Sequence, residues 1–241
     1  MTEIETTNLA GFEVLHAAPS GKRLKPLPTI IFWHGYTSSK LVYSYFAVAL
    51  AQAGFRVVMP DAPEHGARFH GDDAGRLQRF WQILYGNIQE YPLLRDAIEA
   101  KGWVAEGRLG VAGASMGAMT ALGVAGHYPE VRCTASLMGS GFYHTLSQSL
   151  FPPPAQHDAV LAPLANYEAT QCLAMLASRP LMLWHGEDDD LVPAAESKRL
   201  WQLLQQQHLD KHVACYWESG VKHRITPFAL DSTCEFFRQS L

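Results

Sequence analysis

The chain has 241 residues, which at roughly 150 per domain leaves room for one large domain or two small ones. Hydrophobic residues make up 48% and charged residues 17%, a balance that excludes a disordered chain. With 19 Lys and Arg against 23 Asp and Glu the net charge is −4, so nucleic-acid binding has no electrostatic footprint.

Residues 1–10 carry Glu3 and Glu5 where a signal peptide would need basic residues and then an apolar run. No stretch approaches the 18 to 20 apolar residues of a spanning helix, so neither secretion nor membrane insertion is expected. The opening segment 3–18 reads as a strand and hairpin, with Gly11 as a break in the pattern. Short apolar runs of strand type follow at 12–17, 29–33, 56–59, 109–112, 134–138, 181–184 and 213–217. Between them, 40–53, 93–105, 116–126, 194–207 and 227–239 carry helical periodicity, the last announced by Thr226 as N-cap and Pro227 at the first helical position. The alternation predicts an α/β fold, a mostly parallel central sheet of about eight strands with helices on both faces. Most of these strands are too apolar for a sheet with one wet face.

Two connections interrupt the rhythm, at 62–91 and 141–179, and both are longer than a compact domain needs unless they form lids or binding loops. The second holds the 152–154 proline run with Phe142, Tyr143, Phe151 and Tyr167. It is expected to be a cap or lid insertion within one domain spanning 1–241. The four cysteines (Cys133, Cys172, Cys215 and Cys234) lack the close spacing of zinc sites or small disulfide scaffolds. They are expected as free thiols of a cytoplasmic protein.

Gly113, Ala114, Ser115, Met116 and Gly117 fit the G-x-S-x-G nucleophile elbow, in which a sharp strand-to-helix turn exposes a serine hydroxyl above the sheet. The strand pattern directly before it and the helix pattern directly after supply the context the motif needs. A serine requires a base to take its proton and a group to orient that base. In this type of site the order is Ser, then acid, then His, which leaves His208, His212 and His223. His223 follows the last strand by a short loop, at the carboxyl edge of the sheet where ligand crevices form, and is the expected base. The acid comes from the run Glu187, Asp188, Asp189 and Asp190 after the strand 181–184, whose carboxylates emerge at the same edge.

With the elbow, His34-Gly35-Tyr36, residues 186–193 and His223, the chain resembles the α/β-hydrolase family over nearly its whole length. Members commonly carry Gly-x-x-Asp-x-x-Val-Pro after the acid-bearing strand, and that frame implies Asp189, with Asp188 and Asp190 as neighbours in competition. More narrowly, the stretches 34–40, 59–66 and 184–190 resemble the enterobacterial YjfP-type esterases, relatives of dienelactone hydrolases and of small prolyl-oligopeptidase-like esterases. Ser115 stands where the dienelactone hydrolases use cysteine.

The resemblance implies a serine carboxylesterase that forms an acyl-enzyme, with the backbone amides of Tyr36 and Met116 as oxyanion hole and no metal or organic cofactor. His34 and His65 are expected to organise their loops by hydrogen bonding rather than to move protons. The expected partner is a small-molecule ester, whose acyl chain is short and is walled by Trp81, Tyr85, Phe142, Tyr143 and Phe151. The oligomeric expectation is a monomer or small homo-oligomer. A thioesterase, a small peptidase, or a binding protein on the same scaffold are the competing readings, because fold does not settle chemistry.

Overall fold

The computed structural model describes residues 1–153 and 157–241. Its sheet has eight strands: β1 (Thr2–Leu9), β2 (Phe12–Pro19), β3 (Leu27–Trp33), β4 (Arg56–Pro60), β5 (Val104–Ala114), β6 (Cys133–Leu137), β7 (Leu181–Gly186) and β8 (Val213–Glu218). They lie in the order β1-β2-β4-β3-β5-β6-β7-β8. The β1–β2 hairpin turns at Ala10 and Gly11, both with positive φ, and β2 joins β4 antiparallel. From β4 to β8 all pairings are parallel, so the carboxyl ends of these strands share one edge.

The apolar strands are explained by burial on both faces. Side chains alternate along a strand: Ile31, Trp33, Val58, Val111, Leu181 and Leu183 enter one apolar layer, and Ile30, Phe32, Val57, Met59, Met182 and Trp184 the other. The first layer is covered by α3 (Phe80–Ala100), α4 (Met116–His127), α7 (Ala169–Ala177) and α8 (Ala194–Gln206). The second is covered by α1 (Ser44–Gln52) and α9 (Pro227–Ser240). Thr226 caps α9 by accepting from Ala229 N at 3.1 Å.

At the amino edge of the parallel strands, Arg56 is fully buried. It donates to the carbonyls of Trp103 and Arg23 at 2.6 Å each and of Lys25 at 3.0 Å, and to His16 Nε2 at 3.0 Å. One side chain thereby joins β2, β4 and the segments entering β3 and β5.

The connection 62–91 is not the irregular loop its sequence suggested. It contains α2 (Asp73–Gln78) and the first half of α3. Pro92 made a helix start at residue 93 plausible, since proline removes a backbone donor. The stripe of Trp81, Leu84, Ile88, Tyr91, Leu94 and Ile98, all buried, continues through it instead. Packing against the sheet outweighs the one lost hydrogen bond. β5 also begins at Val104, inside the segment expected to end that helix.

The segment 141–179 holds α5 (Tyr143–Leu146), α6 (His157–Leu161), a 3-10 turn Ala162–Tyr167 and α7. Of the proline run, Pro154 lies outside the described residues. Among the described residues no helix is long and apolar enough to cross a membrane.

Candidate active site

Ser115 sits between β5 and α4 with φ 55° and ψ −119°, a backbone strain characteristic of functional turns. The two elbow glycines are required by space. A Cβ on Gly113 would meet the Gly117 backbone at 2.2 Å, and one on Gly117 would meet the Trp33 carbonyl oxygen at 2.0 Å. The turn is thus wedged between β5, α4 and the end of β3, and the Ser115 hydroxyl is left facing the crevice.

His223 reaches it from the loop after β8. The Ser115 hydroxyl donates to His223 Nε2 at 2.9 Å, and His223 Nδ1–H donates to Asp189 Oδ2 at 2.7 Å. The loops bearing His223 and Asp189 are tied through their backbones: Glu187 N donates to Glu218 O at 2.9 Å and Asp188 N to Val221 O at 3.0 Å. This contact needs Gly186, whose Cβ would stand 2.4 Å from Val221 O.

Of the four acids, the buried Asp189 is the one whose carboxylate meets His223. Asp190 pairs with Lys222 at 3.1 Å and Glu187 with Lys198 at 2.6 Å, while Asp188 is exposed. His208 and His212 are exposed on the far side of α8 in sequence, and neither bonds Ser115 among the described residues.

Asp189 has a second imidazole that sequence reading passed over. His185, fully buried on β7, donates through Nε2 to Asp189 Oδ2 at 3.1 Å and to Val192 O at 2.8 Å, with Nδ1 2.8 Å from Ser197 Oγ. The Leu191 and Val192 amides donate to Asp189 Oδ1 at 2.9 Å each. Burial works to raise the Asp189 carboxyl, but the bonds from His185, His223 and Leu191 outweigh it and hold it far below the usual range. A periodicity argument had no means of finding His185, because one apolar strand position looks like another until the acid's rotamer is known.

The loop after β3 brings Tyr36 to the same place. A Cβ built on Gly35 would lie 3.5 Å from Ser115 Cβ, so the backbone itself closes on Ser115. Among the described residues neither the Tyr36 N–H nor the Met116 N–H has an acceptor. Met116 also opens α4, whose dipole places positive potential at this end.

Two histidines hold the loop. His34 donates through Nδ1 to Gly35 O at 2.7 Å and accepts from Ala62 N at 3.0 Å. His65 donates to Pro63 O at 2.8 Å and accepts from Thr37 N at 3.1 Å. Burial lowers both, His34 to about 4, which fits rings used as fixed neutral donor–acceptor pairs. Beneath them Asp61 accepts from the Lys40 amide at 2.8 Å, the Ala67 amide at 2.9 Å and the Lys40 ammonium.

An apolar lobe of about 420 Å³ opens beside Ser115 and His223, lined by Tyr36, Leu77, Phe80, Leu150, Phe151 and Val192 among others. Of the five aromatic residues expected to wall the pocket, Phe151 does line it. Trp81, Phe142 and Tyr143 are core residues: Trp81 Nε1 donates to Phe151 O at 3.0 Å, Tyr143 OH to Met119 O at 2.8 Å, and Phe142 lies under Arg199. Tyr85 packs on Tyr167, away from the lobe. Leu77 and Phe80 were hidden in a segment that did not read as helix.

A family model for the prolyl oligopeptidase family matches residues 42–230. The chain is 57% identical to Esterase YjfP of Escherichia coli (strain K12), over 100% of both chains. It is 29% identical to the Putative esterase YitV of Bacillus subtilis (strain 168), again over 100% of both. Among solved structures it is similar to TT1662 from Thermus thermophilus, with a TM-score of 0.83 and 24% identity over 99% of this chain and 98% of that one.

Proposed function

This chain belongs to the prolyl oligopeptidase family and is a serine hydrolase of the esterase type, and from that premise we propose that Ser115, His223 and Asp189 hydrolyse short-chain carboxylic esters through an acyl-enzyme. The observation that carries the reading is the unbroken chain from Ser115 Oγ through both nitrogens of His223 to Asp189. His223 Nε2 takes the hydroxyl proton as Ser115 Oγ attacks the ester carbonyl. Asp189 fixes the tautomer and offsets the imidazolium charge.

The tetrahedral oxyanion accepts from the amides of Tyr36 and Met116, a type of donor whose loss typically raises the barrier by about 2.7 to 4 kcal/mol. As the intermediate collapses, His223 returns the proton to the leaving alcohol. Water then repeats the sequence on the acyl-enzyme and releases the acid. The whole chain acts as one hydrolase domain, and the segment 141–179 contributes Leu150 and Phe151 to the acyl wall. A lobe of about 420 Å³ lies near the small end of ordinary ligand pockets, which favours short acyl chains. The four free cysteines suit the reducing cytoplasm.

The test is a panel of p-nitrophenyl esters of increasing acyl length, with thioesters and peptide amides beside them, assayed with wild type and Ser115→Ala. The expected outcome is highest kcat/KM on acyl chains of roughly two to six carbons and loss of turnover in the variant with the fold intact. Turnover by Ser115→Ala within tenfold of wild type would overturn the nucleophile.

A further inference from the structure

The crevice has a second lobe of about 230 Å³ on Ser115, and its lining is of another kind: Gly35, Val42, Tyr43, Tyr45, Met138, Arg224 and Ile225, besides the shared Tyr36 and His223. Three of these side chains carry hydrogen-bond donors without a partner. Among the described residues, no acceptor meets the Tyr43 or Tyr45 hydroxyl, and no carboxylate or carbonyl meets the Arg224 guanidinium. The other arginines are engaged, whether with carboxylates as Arg68 with Glu90 and Arg79 with Glu64, with carbonyls as Arg56 and Arg179, or over a ring as Arg199.

The neighbouring charges leave Arg224 unneutralised. Asp190 is taken by Lys222, Asp189 by the two imidazoles, and Glu218 by Trp184 Nε1 and the Thr226 hydroxyl. The position of Arg224 is not free either: it follows His223 directly, and its amide bonds Lys222 O at 2.8 Å in the turn that sets the base. Tyr43 and Tyr45 stack with centroids 5.8 Å apart, and burial keeps both hydroxyls protonated, Tyr43 pushed up to about 12. They therefore serve as neutral donors at any working pH.

We propose that this lobe binds an anionic group, a carboxylate or a phosphate, carried by one half of the ester while the other half fills the apolar lobe. The proposal rests on Ser115 as nucleophile and refines the substrate of that same site. Guanidinium and hydroxyl donors are what such oxygens require, and charge-assisted bonds are about twice as strong as neutral ones. The chemistry is unchanged: the acyl C–O bond breaks, and water supplies the new C–O bond and the proton on the alcohol. The apolar lobe alone would favour the uncharged member of a pair, since an unpaired charge is costly to desolvate.

The experiment compares matched substrates with wild type, Arg224→Gln and Tyr45→Phe. For the acyl half the pair is p-nitrophenyl hemisuccinate against p-nitrophenyl butyrate. For the leaving half, 4-acetoxybenzoate and 4-acetoxyphenyl phosphate are each set against phenyl acetate. The readout is the ratio of anionic to neutral kcat/KM within a pair. Arg224→Gln should lower that ratio by about fivefold or more in at least one pair, as expected for loss of a bond to a charged group. Tyr45→Phe should lower it in the same pair, and rising salt should do so in wild type but not in Arg224→Gln. The pair that responds tells which half carries the charge, and the carboxylate and phosphate arms tell which anion. A change below fivefold in every pair overturns the proposal while leaving the esterase reading in place if the neutral esters are turned over. Failure of wild type on every ester, anionic and neutral alike, would instead remove the reading of Ser115, and this proposal with it.

Discussion

At the scale of single residues, the crowded surroundings of Asp189 make a sharp prediction. Asp189→Asn should lower kcat on the order of 10⁴-fold, as when a triad aspartate elsewhere loses its charge, whereas Asp188→Asn and Asp190→Asn, at exposed positions, should cost little. Steady-state kinetics on one p-nitrophenyl ester checks this, and a larger loss at either neighbour would contradict it. His34 predicts a pH effect on stability. Burial holds its folded value at about 4, below the ordinary imidazole value of 6.5, so between these limits the unfolded chain binds the extra proton. The stability contributed is complete above pH 6.5 and is lost as pH falls, with about 2 kcal/mol gone by pH 5 by linkage arithmetic. Urea unfolding of wild type and His34→Gln at pH 7 and pH 5 should show the smaller drop in the variant. His16 and His65 are also lowered by burial, so the difference between the two proteins, not the slope of either, isolates His34.

At the scale of elements, Phe151 is where the segment after β6 touches the crevice, packed on Phe80 and Tyr36 at centroid distances of 4.6 and 5.1 Å. Phe151→Ala should enlarge the apolar lobe and raise the ratio of kcat/KM for octanoate over acetate esters severalfold. An unchanged ratio accompanied by a lower Tm would mark the residue as packing only. The elbow and the Ser, acid, His order were legible in the sequence because each is a local pattern bound to a strand end. So was the double-sided sheet, from runs such as Ile30 to Trp33. The pocket wall was not, for two physical reasons. Pro92 masked the continuity of α3 and with it Phe80, and Leu77 sits in α2, whose six residues are too few to show a helical period. Aromatic residues such as Phe142 and Tyr143 carry no sign of which way they face, and here they turn into the core beneath α4 and α8. Tyr43 and Tyr45 reach the crevice from the N-cap and first turn of α1, on a helix whose periodicity marks its buried face and not its crevice end, and Arg224 reaches it from the loop after β8, which no periodicity describes.

At the scale of the whole molecule, the parallel sheet separates two jobs by edge, the crevice at the carboxyl ends and the Arg56 junction at the other. Arg56→Leu should leave the Arg23 and Lys25 carbonyls without their donor and take one donor from Trp103 O, which keeps the Leu27 amide. It should destabilise the protein by about 3 kcal/mol or more, a fall in Tm of roughly 6 to 12 °C for a chain of this size. Esterase activity at 25 °C should remain close to wild type, since no atom of the crevice moves; calorimetry and a rate assay on the same sample check both halves. The hydrogen bond from Ser115 to His223 spans 108 residues, and the one from His223 back to Asp189 spans 34. If Ser115, His223 and Asp189 act as proposed, in the order of synthesis that makes function the last property the molecule acquires. A growing chain has its elbow by residue 117 and the Gly35-Tyr36 loop long before. It stays inert until β7 and β8 have joined the sheet and the loop beyond β8 has folded back across it. Chains halted before residue 223 would be catalytically silent however much of the sheet they had built, so hydrolysis in this protein reports complete assembly rather than partial folding.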